Sequence, residues 1–129
     1  MNTVKKKVKI EYTLAPASGT VLWNAISTPS GLSRWFADKV SKTNKTFTFK
    51  WGKTETRVAE MTNLRTESFI RFHWDDEAPR TYFELKIHYN ELTSDLSLEV
   101  TDFAEPGEEE DTVSLWNSQI EVLRRTCGI

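Results

Sequence analysis

The sequence predicts a single α+β domain, residues 1–129, in which a curved antiparallel sheet of about six strands wraps a long C-terminal helix. Three observations predict it. From residue 44 onward apolar side chains recur at every second position for about sixty residues, the period of half-buried strands. Turns of hairpin length interrupt that stretch. Then the period changes: Val113, Trp116, Ile120, Leu123 and Cys127 are spaced 3, 4, 3 and 4 residues apart, one stripe of an amphipathic helix.

The first strand is residues 5–14, with Val8, Ile10, Tyr12 and Leu14 on one face and Lys7, Lys9, Glu11 and Thr13 on the other. Ser18 offers a helix N-cap, and Val21, Leu22, Ala25 and Ile26 follow at helical spacing, so 19–27 reads as a short helix that stops before Pro29. A second helical turn, Gly31–Phe36, supplies Leu32, Trp35 and Phe36. Phe47, Phe49 and Trp51 alternate next, and Trp51-Gly52-Lys53 punctuates a hairpin. In residues 54–62 no phase holds, which predicts a bulge or an exposed edge. Alternation resumes through Ile70, Phe72 and Trp74, and again through Phe83, Leu85, Ile87 and Tyr89. Leu96, Leu98 and Val100 form the last strand, with Phe103 at its exit. In the final helix, acids in the first turn and Arg124 and Arg125 in the last complement the dipole, and Gly128 stands where a C-terminal cap belongs.

Composition narrows the function. The formal net charge of -2 lacks the basic field of a dedicated nucleic-acid binder. No apolar stretch approaches the roughly 18 residues of a membrane span, and Lys5, Lys6 and Lys7 are not followed by the apolar core of a signal peptide. The one cysteine, Cys127, can form neither an internal disulfide nor a cysteine zinc cluster. A cytoplasmic protein is expected. Aromatic residues make up 12% of the chain and include five tryptophans, a load that calls for a large interior.

The segment Val21-Leu22-Trp23-Asn24-Ala25-Ile26-Ser27-Thr28-Pro29, then Leu32-Ser33-Arg34-Trp35-Phe36-Ala37-Asp38, resembles the N-terminal signature of the START-like superfamily. It is most similar to the branch named after the activator of the heat-shock-protein-90 ATPase. Phe47-Thr48-Phe49-Lys50-Trp51-Gly52, Ile70-Arg71-Phe72-His73-Trp74 and Trp116-Asn117-Ser118-Gln119-Ile120 resemble that branch too, so nearly the whole chain is covered. The resemblance implies the helix-grip fold, with a cavity between sheet and long helix that in relatives holds lipids, sterols, polyketides or plant hormones. Some relatives are cyclases or dehydratases. No motif matches one that would carry over chaperone stimulation. Where relatives often open the second strand with glycine, this chain has Asn44-Lys45-Thr46.

A catalyst in such a cavity needs convergent polar groups, and the inward phases offer only Tyr12, Tyr89 and Glu60. No catalytic residue, metal site or cofactor is therefore assigned, and binding is favoured over catalysis. His73 and His88 fall in outward phases and read as surface histidines, and Cys127 as a small hydrophobe. The ligand-binding residues expected from the aromatic face are Trp35, Phe36, Phe49, Trp51, Phe72, Trp74, Phe83, Ile87, Trp116 and Ile120. Their partner would be a small hydrophobic ligand, a lipid or an aromatic metabolite. The alternative is a protein-interaction domain with a filled core, docking a partner such as a chaperone through the sheet's outer face or the acidic run 105–111. A monomer is expected, with a dimer open to it through an exposed edge at 54–62.

Overall fold

The computed structural model describes residues 4–129, so the first three residues of the expected domain lie outside the description. The elements run β1 (Lys6–Leu14), α1 (Gly19–Ser27), α2 (Pro29–Leu32), β2 (Lys39–Thr43), β3 (Thr46–Trp51), β4 (Glu55–Arg65), β5 (Phe69–Trp74), β6 (Phe83–Asn90), β7 (Asp95–Ala104) and α3 (Glu109–Cys127). All seven strands form one antiparallel sheet in the order β1-β7-β6-β5-β4-β3-β2. The sequence pattern shows six of them. It misses β2 because Val40 is that strand's one apolar residue: β2 is an edge strand, almost wholly exposed, and needs no buried face.

The expected edge at 54–62 is an interior strand. β4 pairs with β3 on one side and β5 on the other, and a register shift between Met61 and Asn63 is the bulge that blurs its phase. Pairing of Phe49 with Arg57 and of Phe47 with Ala59 puts Arg57 and Ala59 on the inner face. Glu60 is on the outer face, where it accepts a hydrogen bond from Thr46 Oγ1 at 2.7 Å, so it is not an inward polar group. Tyr89 is 43% exposed at the far end of β6, a second departure from expectation. Tyr12 is half-buried and donates to Asn117 Oδ1 of α3 at 2.6 Å.

Between β1 and β2 the chain turns on Thr28, whose hydroxyl donates to Asn24 O at 2.7 Å and accepts from Gly31 N at 2.9 Å. That double contact ends α1 and caps α2, with Pro29 supplying the fixed φ of a first helical residue. Helix α2 is thus shorter than expected and starts at Pro29; Trp35 and Phe36 lie on the turn beyond it. Gly31 lets the two helices touch, since a Cβ there would stand 2.0 Å from Asn24 O. Asn44, in the turn between β2 and β3, takes the left-handed conformation, at φ 55°.

Helix α3 closes the inner face with Trp116, Ile120 and Leu123 buried and Cys127 partly so. Glu109, Glu110 and Asp111 begin it, Arg124 and Arg125 end it, and Gly128 (φ 69°) donates to Arg124 O at 2.9 Å as a left-handed cap. The C-terminus then folds back: Ile129 is buried and its carbonyl accepts from Ala15 N.

Candidate ligand site

The inner face brings eight of the ten expected residues into one network of rings. Phe49 and Trp51 come from β3, Phe72 and Trp74 from β5, Phe83 from β6, Trp116 from α3, and Trp35 and Phe36 from the turn after α2. Alternation on the strands and the 3.6-residue period of the helix aim them at a common centre. Ile87 and Ile120 are buried in the same core. Phe47 also belongs: its ring is 5.0 Å from Phe72 and 6.1 Å from Phe49.

Phe36 is the hub. Its ring meets Phe49 at 5.2 Å, Trp35 and Phe83 at 5.5 Å, Trp116 at 5.7 Å, Trp51 at 5.9 Å and Trp74 at 6.4 Å, in edge-to-face and stacked geometries that aromatic quadrupoles favour. At 5% exposure it fills the space between sheet and helix. Its backbone is fixed, because Trp51 Nε1 at 2.9 Å and Gln119 Nε2 at 3.3 Å both donate to its carbonyl. Trp35 Nε1 is likewise satisfied by Ala25 O at 2.8 Å.

At one end the cluster turns polar. Asp102 continues the inward phase of Leu96, Leu98 and Val100 two residues further along β7, and its carboxylate accepts from Trp116 Nε1 at 2.8 Å and from Phe103 N at 2.7 Å. Burial pushes this carboxyl above the usual aspartate range, against the pull of those two N–H groups and of nearby Lys5 and Arg57. Arg57 lies over the Trp74 ring, 4.0 Å from its centroid, and donates to both oxygens of Asp76 at 2.8 and 3.0 Å. Those hydrogen bonds hold the Asp76 carboxyl below its ordinary value. Lys5 pairs with Glu77.

Between these groups is a cleft of about 130 Å³, lined by Lys5, Arg57, Trp74, Glu77, Thr81, Tyr82, Asp102 and Phe103. It adjoins a wider one of about 830 Å³ that shares Lys5, Glu77, Thr81 and Phe103. Clefts against β2, beside α2 and at the β6–β7 hairpin involve none of the rings. The two histidines do not converge: His73 Nδ1 donates to Thr81 O at 2.8 Å, and the β5–β6 and β6–β7 registers place His88 at the other end of the sheet, opposite Ser97.

A family model described as a START-like superfamily domain matches residues 2–129. The chain belongs to the START-like superfamily. A solution structure of BfR322 from Bacteroides fragilis is 57% identical, with a TM-score of 0.69, over 97% of this chain and 93% of that one. At lower identity the likeness concerns the fold. The Aha1 dimer from Colwellia psychrerythraea is 16% identical, with a TM-score of 0.68, over 92% of this chain and 90% of that one. DynU16, from the dynemicin biosynthetic locus, is 18% identical, with a TM-score of 0.75, over 92% of this chain and 46% of that one. No functionally curated protein matches. START-like proteins often bind hydrophobic ligands, and this member has the sheet, the long helix and the aromatic inner face of that family.

The polar end leaves little trace in the sequence pattern. Asp102 was legible in principle, by extending the Leu96–Leu98–Val100 phase one more step; Arg57 was hidden by the bulge in its own strand.

Proposed function

We propose that this START-like domain binds a small hydrophobic ligand between the sheet and α3, without catalysing a reaction on it. The ring cluster around Phe36 carries this reading: a continuous aromatic surface on the inner face, running out to a polar cleft at Trp74 and Asp102. Because Phe36 occupies the centre, a ligand enters by turning that ring aside about its side-chain bonds while the pinned backbone stays in place. Exposing a phenylalanine ring costs about 1.5–3 kcal/mol, and association costs roughly 4 kcal/mol or more. At about 25 cal/mol per Å², a ligand must bury on the order of 300 Å² of apolar surface to offset both. The fitting class is therefore polycyclic or long-chained rather than a single ring.

Energy transfer from tryptophan to pyrene tests this. Wild type takes up pyrene, and Phe36→Ala takes it up more tightly because the ring no longer has to move. Absence of transfer in both proteins would contradict the reading.

The tightness of ring packing favours a second reading, a protein-interaction domain with a filled core. Its docking segment would be the acidic run that leads into the first turn of α3, where Glu108 and Glu110 are exposed. In that case neutralising Glu108, Glu109 and Glu110 strips a partner from pull-downs, and pyrene has no effect.

A further inference from the structure

We infer that the ligand of this site carries one uncharged hydroxyl head, held at the polar end of the ring cluster between Asp102 and Arg57. The inference rests on the proposed interior binding and names its ligand class.

The small cleft abuts the cluster through Trp74, which stacks on Phe83 at 5.0 Å, and through Asp102, which is bonded to Trp116. A molecule lodged among the rings therefore presents its end to these two groups. An ionised carboxylate offers about four lone-pair sites. Among the described residues Asp102 uses one for Trp116 Nε1 and one for Phe103 N, so acceptor capacity remains on a group that lines the cleft. Arg57 has five N–H donors by its chemistry, and Asp76 takes one from Nε and one from Nη2. Further donors remain on a guanidinium that lines the same cleft. A hydroxyl is the smallest group that can donate to the first and accept from the second.

Charge and size point the same way. Lys5 and Arg57 balance Glu77 and Asp102 in the lining, so the cleft has no formal excess that a cationic or anionic head would neutralise. A volume of about 130 Å³ equals roughly four waters at their share of the liquid, room for a hydroxyl with a water or two.

The test uses ¹⁵N-labelled full-length protein near pH 6.5, titrated with pyrene, 1-hydroxypyrene, 1-pyrenecarboxylate and 1-pyrenemethylammonium, and reads the tryptophan indole N–H resonances. 1-Hydroxypyrene should bind about tenfold tighter than pyrene, the gain of one hydrogen bond to a charged group, and should shift the Trp116 and Trp74 indoles. That preference, read as the ratio of 1-hydroxypyrene to pyrene affinity within each protein, should vanish in Asp102→Asn and shrink in Arg57→Gln. Using two variants keeps the test informative if one fails to fold. Equal affinity for pyrene and 1-hydroxypyrene overturns the head assignment while leaving interior binding intact. Tightest binding of the carboxylate or the ammonium overturns it in favour of a charged head. No binding by any probe overturns the interior site itself, and this inference with it.

Discussion

Trp116 joins the two halves of the interior, since its ring packs on Phe36 and Phe83 while its indole N–H reaches Asp102. At 4% exposure it is core, so Trp116→Ala should lose about 3–5 kcal/mol in denaturant melts, and a loss below about 1 kcal/mol would contradict that burial. Asp102 makes a prediction with a definite sign. Its folded pKa lies above the ordinary aspartate value, so between the two the folded state binds more protons than the unfolded one. Stability from this group therefore falls as pH rises through that window and levels off above it. Measured as the difference between wild type and Asp102→Asn, thermal stability should decline from the acid end upward. A difference that grows with pH would mean the carboxylate is stabilised, not strained, by its surroundings.

At the scale of elements, the junction of α1 and α2 depends on the missing side chain of Gly31. Gly31→Ala would push a methyl group into the Asn24 carbonyl and Ala25 backbone, which cannot swing aside as a side chain could. A loss of about 1–3 kcal/mol is expected in chemical denaturation, and an unchanged midpoint would show that the helices do not touch there. Legibility from sequence follows the same physics. Strands β3, β5, β6 and β7 and helix α3 each bury one face, and their periods announce them. Edge strand β2 buries none of its residues fully and so leaves no pattern. In β4 the bulge after Met61 shifts the phase midway, which hides an interior strand and the inward aim of Arg57. The rings of the site were readable because they are core; its charged end lies where two patterns stop.

Over the whole molecule, the first and last described elements are held by the same sheet and helix as the middle. β1 pairs with β7 along its full length, and the carbonyl of Ile129 accepts from Ala15. The chain should therefore unfold as one cooperative unit, with tryptophan fluorescence and far-ultraviolet circular dichroism giving coincident transitions, and separated transitions would divide it. Membership of the START-like superfamily explains the grip of sheet on helix; its use depends on whether the rings inside yield to a guest. Native mass spectrometry of the protein purified from its own source reads this out. A copurifying hydrophobic molecule whose removal changes tryptophan emission is expected, and a bare polypeptide mass with emission unaltered by lipid extraction would refute interior binding.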